Sequence, residues 1–493
     1  MQISSELKQQ FEAKFGPLPA LPDRVAVPAT DGFNLWTYLQ ACEQDLINLM
    51  NGQPPPETDT ANIEYSWGLY FFNNDLQSTI NAIGLGFAYN FLVSVLTDTY
   101  GPMPPSKITP AMWNTYLQVW QKQGALYGDG SLVSTAPYAV MDTNWTTALV
   151  YYYLSVYGIY NGPVNPFPTT PASVNLSTTT YPSLSVALFG DWGTGVYPDG
   201  NQPGSPAQMV GAQITAANPD VCIHLGDVYY AGTPPVKIGG VTISNGQEHD
   251  NFVTCWPMPG RSYNFTLNSN HEMYSGANGY FGVALSNAIF KTQQNTSYFQ
   301  LQYGNWLIVG LDSAFFDRSY LFMNGAVTDS NQIAFLNKAG QYAKANNLSV
   351  IVLTHHTALN TSGTAQTTLY TQVVNALQQP QPNGTSLGVV PAYWYYGHVH
   401  NGAVYTSASA GGAVQCRCLG NAAIPIGNAS WLSAAMQATP ATVSFYTNKP
   451  LANPTPEQAL RVQNGYAILN LTPTTIVENW YYQDGSLAWS SLP

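Results

Sequence analysis

Short apolar runs recur along the chain after about residue 183, and each is followed by Gly or a polar residue. Runs of this length, rich in β-branched and aromatic residues, predict buried strands. A segment at 330–346 separates two of the runs and has apolar residues at helical spacing, which predicts a helix. Its apolar positions are Ile333, Phe335, Leu336 and Tyr342. The five strand-like runs are at 186–189, 221–225, 306–311, 350–353 and 393–396.

Four later runs follow one another without a helical segment between them. We expect an α/β core whose later strands form a second, mainly antiparallel sheet. These later runs are at 413–418, 443–446, 466–471 and 475–482.

The pattern also divides the chain into regions. Residues 1–160 carry apolar stripes of helical spacing, so we predict a mainly helical N-terminal region, whose role the sequence does not reveal. Residues 161–182 are rich in Pro and Thr, which predicts a linker. Residues 183–493 then form the domain that holds all of the strand-like runs.

Charge narrows the range of partners. Charged residues are only 8% of the 493, and the net charge is -12. Binding to a phosphate backbone requires a basic face, so nucleic acid is not expected as a major partner. An anionic substrate would have to be attracted locally, for example by bound metal. The oligomeric state is not predictable from these features.

No membrane or export signal is visible. The N-terminus lacks a basic segment followed by an apolar one, so no signal peptide is predicted. The longest uncharged helical candidate, 76–97, contains Gln77, Asn81 and Asn90, which favours a buried helix over a membrane span. Membrane contact is therefore not expected, and the compartment stays open between the cytoplasm and secretion by another route.

Cys416 and Cys418 stand two residues apart and have two interpretations. The pair could bind metal or act in redox chemistry. Alternate residues of a strand share a face, so the pair could instead be two core thiols on one side of a strand. This second interpretation is favoured.

Most of the apolar runs end in residues that can bind metal. The chain has seven histidines, and five of them fall in these clusters. In open α/β sheets, ligands bind at the carboxyl ends of the strands, so we expect these side chains to meet in one crevice. The clusters are Asp191, Asp227 with Tyr230, Asn270-His271-Glu272, His355-His356, and His398-Val399-His400.

This donor set suits a centre of two metal ions. Imidazole nitrogens and hard oxygens fit iron, zinc or manganese, and the set contains no thiolate. His398 and His400 would share a face at a strand end, one for each metal, and one carboxylate can bridge two cations. Such a pair of cations activates water and stabilises the attacking and leaving oxygens of a phosphoryl transfer.

The five clusters resemble the blocks of the calcineurin-like metallophosphoesterases, and specifically the purple acid phosphatases. Most of that superfamily has Asp-X-His in the first block, whereas this chain has Asp191-Trp192-Gly193 and offers Tyr230 in the second block, as purple acid phosphatases do. The resemblance covers residues 184–485 and implies a four-layer α/β/β/α sandwich. It also implies that the first metal is Fe(III), held by Asp191, Tyr230 and His400. The second metal would be a divalent ion (Zn, Mn or Fe), held by Asn270, His355 and His398. Asp227 would bridge the two ions.

The same resemblance suggests catalytic roles beside the ligands. His271 would be a hydrogen-bonding or general-acid residue, with Glu272 orienting it. Two roles remain open for His356: it could contact the substrate or the metals, or it could support the ligands from behind. His224 is interpreted as a core histidine. Ser269 stands where the family usually has Gly, so the turn before Asn270 is expected to differ in backbone geometry.

Three functions remain open at this point. The resemblance favours a hydrolase for small phosphomonoesters, in which metal-bound hydroxide attacks phosphorus. The same site could act on a phosphodiester such as a cyclic nucleotide, a glycerophosphodiester or a phospholipid headgroup. The third option is a non-catalytic interaction scaffold. Segments 231–250 and 313–329 would line the cleft and decide the substrate, with Lys237, Arg261 and Arg318 as nearby cations.

Overall fold

The computed structural model describes residues 165–492 with short gaps. The helical region predicted for residues 1–160 lies outside the described residues, and so does Tyr230. The gaps are 197–198, 229–231, 233–234, 239–240, 258–262, 320–321, 380–384, 425, 428, 456–457 and 459–460.

The described part is a mixed α/β fold built on two large sheets. The first sheet has eight strands in the order β1-β7-β8-β9-β10-β12-β11-β14. Strands β8, β9, β10 and β12 run parallel, and β11 and β14 continue the sheet in antiparallel fashion. Its strands are β1 (Ala172–Leu176), β7 (Phe299–Tyr303), β8 (Trp306–Gly310), β9 (Ser349–Thr354), β10 (Tyr393–Tyr396), β11 (Gly402–Tyr405), β12 (Gln415–Leu419) and β14 (Val443–Tyr446).

The second sheet has six strands in the order β18-β17-β16-β2-β3-β6. Strands β2, β3 and β6 are parallel, and the other three are antiparallel. Its strands are β2 (Leu184–Phe189), β3 (Val221–His224), β6 (Tyr263–Thr266), β16 (Gly465–Leu471), β17 (Ile476–Tyr482) and β18 (Leu487–Ser490). Two small hairpin-like sheets pair β4 (Pro235–Ile238) with β5 (Val241–Asn245) and β13 (Ile426–Gly427) with β15 (Arg461–Val462).

Five α-helices lie between the strands of the described residues. Ser205 caps the first by a capping box, because its hydroxyl accepts from Gln208 N while the Gln208 side chain accepts from Ser205 N. The helices are α1 (Pro206–Ala217), α2 (Asn270–Tyr274), α3 (Ser330–Asn346), α4 (Thr368–Leu377) and α5 (Ser430–Gln437). Shorter π and 3₁₀ helical turns occur at Glu248–Val253, Tyr280–Ala284 and Ala288–Gln293. None of the helices in this part of the chain is both long and apolar enough to cross a bilayer.

Successive side chains of a strand point to opposite faces of its sheet, and the buried ones form three hydrophobic clusters. Val186 and Leu188 of β2 point into a cluster shared by the two sheets, whereas Ala187 and Phe189 face α1. On the first sheet, the outer face packs against α3, α4 and α5. The two sheets therefore lie face to face, and this packing brings the carboxyl ends of their central strands together.

Most sequence predictions for this part agree with the structure. The five early runs correspond to β2, β3, β8, β9 and β10, and the predicted helix matches α3. Tyr342 is an exception within α3, because it is 42% exposed. Its hydroxyl donates a hydrogen bond to Gln302 Oε1 at 2.8 Å.

The prediction for the later strands was wrong in its pairing. They form no second sheet of their own: β12 and β14 extend the first sheet, and β16 and β17 join β2 in the second. The helix α5 also separates β12 from β14. The cause is long-range pairing, since β16 returns to hydrogen-bond with β2 across the whole domain. In addition, β1 lies within the predicted linker 161–182 and pairs with β7, so residues 172–176 belong to the first sheet.

Candidate metal centre

The site forms where strand ends from both sheets meet. Asp191 and Asp227 follow β2 and β3, and Asn270 follows β6 and begins α2. His355 follows β9 and His398 follows β10 in the other sheet. The two sheets are joined here by a hydrogen bond, because His355 Nδ1 lies 3.0 Å from the carbonyl oxygen of Leu225.

Four donor atoms converge around the ring of His355. Its Nε2 lies 2.8 Å from Asn270 Oδ1, 3.1 Å from His398 Nδ1 and 3.2 Å from Asp227 Oδ1. A carbonyl oxygen can only accept, so the contact with Leu225 places the proton on Nδ1 and leaves the Nε2 lone pair facing these atoms. Burial holds the pKa of His355 well below its usual range, so the ring is neutral. Lone pairs that face one another in this way fit a cation bound between them.

A second group of donors lies on the other side of Asp227. His400 Nε2 is 3.2 Å from Asp191 Oδ1 and 3.5 Å from Asp227 Oδ2. Both carboxylate oxygens are buried, and neither accepts a hydrogen bond of good geometry. Buried carboxylate oxygens normally have partners, so this group also fits a bound cation. Tyr230, expected as a further ligand here, is among the residues outside the description.

Asp227 is shared by the two groups. Its Oδ1 faces His355 and its Oδ2 faces His400 and, at 3.7 Å, His271 Nε2. Burial alone would raise the pKa of Asp227, but its interactions with His271, His355 and His400 outweigh burial and hold that pKa well below its usual value. The carboxylate is thus ionised and placed between both sets of donors, as a bridging ligand must be.

Charge at the other positions follows from burial and from the neighbours. Burial raises the pKa of Asp191 to about 7, with the negative charge of Asp227 adding to the effect. Burial would lower the pKa of His400, but its contacts with Asp191 and Asp227 prevail and raise it to about 9. A cation that binds here would have to displace the proton on His400, so its affinity should fall with decreasing pH.

Three overlapping groups of His and Asp side chains in the described residues could hold a metal ion. Within each group the ligand atoms all lie within 4.8 Å of one another. Six of the seven predicted metal ligands lie in this crevice, and all are buried or nearly so. The groups are His355, His356 and His398; Asp227, His271 and His400; and Asp191, Asp227 and His355.

Two glycines allow this close approach. Gly226 has φ +95°, and a Cβ there would lie 2.7 Å from His355 Nδ1. A Cβ on Gly397 would lie 2.4 Å from Asp191 Oδ2. Any other residue at either position would push a ligand out of place, so the Gly-Asp and Gly-His pairs of the sequence have a steric reason.

His271 lies at the centre, in contact with the bridging carboxylate. It is 1% exposed, and burial lowers its pKa to about 4, so the ring is neutral near pH 7. A neutral imidazole still has one N–H group to donate. Its Nε2 lies 3.7 Å from Asp227 Oδ2, and the general-acid role stays a prediction.

Glu272 is held by contacts with Val228 and Ser269. Its Oε1 accepts a hydrogen bond from Val228 N at 2.7 Å, and its Oε2 lies against the hydroxyl of Ser269. Burial, with the charge of Asp227 adding, raises its pKa to about 8. These contacts support the backbone that follows Asp227, and the role of Glu272 in orienting His271 stays a prediction.

The sequence analysis missed the role of Ser269. Its hydroxyl also contacts Asp227 Oδ1 and accepts from His271 N at 3.1 Å, so it joins two of the clusters. Its backbone is extended, with φ -141° and ψ 178°, so this position has no need of the glycine that the family usually has. A serine directly before a short helix is a preferred N-cap, and this signal was available in the sequence.

The remaining histidines have protein partners. His356 is buried between Ser313 Oγ, 2.8 Å from Nδ1, and the carbonyl oxygen of Phe322, 2.7 Å from Nε2. His224 is buried in the second sheet with Nδ1 2.9 Å from Thr266 Oγ1, which confirms its interpretation as a core histidine. Cys416 and Cys418 are free and buried in the outer cluster of the first sheet, as expected for core thiols.

Comparisons with known proteins give low similarity. No protein-family model matches the sequence, and no curated protein matches it. Among solved structures the chain is similar to GAP50, the anchor in the inner membrane complex of Plasmodium, with 12% identity, a TM-score of 0.40, and coverage of 62% of this chain and 87% of that one. It is also similar to a dimetal phosphatase from Danio rerio, with 11% identity, a TM-score of 0.35, and coverage of 62% and 98%.

Proposed function

We propose that this chain is a phosphoesterase with a binuclear metal centre that hydrolyses small phosphomonoesters. The observation that carries the proposal is the position of Asp227, whose ionised carboxylate lies between two buried sets of nitrogen and oxygen donors. A bridging carboxylate with imidazole and amide ligands is the donor set of a two-metal hydrolytic site. The helices on the outer faces of both sheets support the four-layer sandwich of the metallophosphoesterases as the fold.

Each group of donors would hold one ion. Asn270, His355 and His398 would hold a divalent ion such as Zn, Mn or Fe, with Asp227 shared. Asp191, His400 and Tyr230 would hold the other, and a tyrosinate ligand favours Fe(III). When bound, the pair would supply Lewis-acid activation of the ester and of the attacking water.

The chain's own residues provide the rest of the chemistry. The hydrogen bond from His355 Nδ1 to Leu225 O fixes which ring nitrogen is offered to the site. Ser269 and Glu272 hold the backbone and carboxylate at Asp227. His271, with Nε2 3.7 Å from that carboxylate, would donate a hydrogen bond to the leaving oxygen, and in its protonated form it would act as the general acid, a role worth about 10²–10⁴-fold in rate.

The test combines metal content with a substrate pair. Purified protein loaded with iron and zinc should contain two metal ions and hydrolyse p-nitrophenyl phosphate faster than its bis ester. His398→Ala should lose one ion and most of the activity, whereas His249→Ala, a change at an exposed histidine that is none of the predicted ligands, should retain both ions. An absorption band in the visible range that is lost in Tyr230→Phe would support tyrosinate bound to Fe(III).

Three results would contradict the proposal in different ways. Faster turnover of the bis ester would make the protein a phosphodiesterase. Full metal content without turnover of either ester would favour a non-catalytic scaffold. A protein that binds no metal at all would remove the basis of the proposal.

A further inference from the structure

The segment that follows β8 is folded back on itself by one buried carboxylate. We define its described stretches, 313–319 and 322–325, as the wall segment. Asp317 is 2% exposed, and its Oδ2 accepts hydrogen bonds from Asn324 N at 3.0 Å and Gly325 N at 2.7 Å. Its Oδ1 accepts from Ser319 N at 2.7 Å. The second stretch is therefore tied to the first through backbone groups, which fixes its conformation independently of the surface side chains.

His356 ties the wall segment to the metal centre. A carbonyl oxygen can only accept, so the 2.7 Å contact with Phe322 O places the proton of His356 on Nε2. Nδ1 then accepts from the hydroxyl of Ser313 at 2.8 Å, and the same hydroxyl accepts from His356 N at 3.2 Å. Both ring nitrogens are used within the protein. His355, the predicted metal ligand, and His356, which binds the wall segment, therefore follow the same strand end.

The fit between the ring and the wall segment is tight. Phe322 adopts φ +54°, a left-handed conformation that a residue with a side chain of its size keeps only where its surroundings hold it there. Gly325 has φ +70°, and a Cβ there would lie 2.4 Å from His356 Cβ. The strained backbone of Phe322 is the group whose carbonyl His356 binds, so the ring helps to hold this conformation.

The anchored backbone places a methionine beside a predicted metal ligand. Met323 is half-buried, and its Sδ lies 3.7 Å from Asn270 Nδ2. The same amide nitrogen donates to Tyr274 OH at 3.1 Å, and the rings of Tyr274 and Phe322 lie 6.4 Å apart. An adaptable apolar side chain therefore stands at the edge of the site, next to the residue that would hold the second ion.

We propose that His356 is a positioning residue for the wall segment, and that Met323, held by it, contacts the organic group of the substrate and favours esters with an apolar organic group. This inference rests on the proposed function, because it specifies the substrate of that same site. His356 acts through the backbone of Phe322 and through Ser313, without touching the reacting atoms.

The experiment compares two esters in the metal-loaded full chain. p-Nitrophenyl phosphate has an aryl group, and β-glycerophosphate has a polar one. Met323→Ala should lower kcat/KM about tenfold for the aryl ester through a higher KM, the usual worth of one lost apolar contact, and should change the polar ester less. His356→Ala should do the same while it retains both metal ions. His356→Gln, which keeps an N–H donor near Phe322 O, should recover part of the loss.

Hydrogen exchange supplies a readout that does not need turnover. The amides of Asn324 and Gly325 should exchange faster in His356→Ala than in the wild type, and His356→Gln should be intermediate. The exposed change His249→Ala should leave exchange there unaltered.

Each contrary outcome identifies a different error. Loss of a metal ion in His356→Ala would make the residue a ligand, and a lower kcat at unchanged KM with a shifted pH profile would place it at the reacting atoms. Unchanged KM and unchanged exchange would overturn the anchor. Equal losses for both esters in Met323→Ala would overturn the substrate class. If the wild type hydrolyses neither ester, the proposed function and the specificity fail together, while the exchange data still decide the anchor.

Discussion

Asp227→Asn is the most informative single change at this site. The substitution keeps the size of the side chain and removes its charge. In the structure one carboxylate oxygen lies 3.2 Å from His355 Nε2 and the other 3.5 Å from His400 Nε2. One carboxylate thus serves both sets of donors, and we expect its loss to weaken two cation sites at once.

The effect on stability can be estimated from metal linkage. A ligand present at 100 times its dissociation constant stabilises the folded state by about 2.7 kcal/mol per site. The unfolding entropy is about 2.1 cal/mol/K per residue, so in a domain of about 300 residues 1 kcal/mol corresponds to roughly 1.5 °C in Tm. The wild-type protein should therefore gain about 4 °C per bound ion, and roughly twice that for two, whereas Asp227→Asn should gain only about 1–2 °C.

The assay is thermal unfolding of chelator-treated protein with and without added zinc and iron, together with elemental analysis. Asp250→Asn is the matched control, because this carboxylate is 47% exposed and pairs with the neighbouring His249. The control should show the wild-type gain in Tm. An Asp227→Asn protein that keeps two ions and the full gain would refute the bridge and with it the description of the site as binuclear.

Three further predictions concern the structure around the site. Glu478→Gln should destabilise the protein by about 3–5 kcal/mol in urea unfolding, because it leaves the buried Arg417, now bound through two hydrogen bonds, without a countercharge. Asp484→Asn removes an exposed carboxylate that pairs with the half-exposed Lys449, and it should lower the free energy of unfolding by less than about 1 kcal/mol. A similar loss for Glu478→Gln and Asp484→Asn would contradict the burial argument. Burial lowers the pKa of His224 to about 3, so metal-free protein should lose stability as the pH falls from 6.5 towards 3. His224→Leu should reduce the slope of this loss by up to about 1.4 kcal/mol per pH unit, and equal slopes of stability against pH in the variant and the wild type would contradict this assignment. Cys416→Ala should leave the metal content unchanged, and a lost ion would restore the metal-binding interpretation of that thiol.

The local parts of the fold were predictable because their signals are local. Strand β3 is a run of four buried residues followed by Leu225 and Gly226, and α3 has apolar residues at helical spacing after the N-cap Asp329. The clusters of histidines and carboxylates were equally visible, since they follow the strands directly in the sequence. Their convergence also follows from topology, because β2, β3 and β6 are parallel and end at one edge of their sheet.

Pairing between distant strands was not predictable in this way. The order of apolar and polar residues in β16 would be the same if the strand belonged to a separate sheet. Its membership of the second sheet follows from its pairing with β2. The environment of individual site residues was missed for the same reason. The two hydrogen bonds of His356 come from Ser313 and Phe322, 43 and 34 residues away, and nothing near His356 in the sequence announces them.

The backbone at the site suggests why these residues stay in place. Asp191, Asp227 and His398 all have positive φ, at 59°, 66° and 69°, a region that non-glycine residues occupy at a cost. Each makes a hydrogen bond to another part of the site: His398 N donates to Asp191 Oδ2 at 3.0 Å, Asp191 N donates to Gly226 O at 2.8 Å, and Asp227 O accepts from Trp192 N at 2.7 Å. The turns are therefore fixed by one another before any ion binds. A centre that is organised in advance loses little conformational entropy on binding metal, which would favour the affinity of the proposed two-ion site.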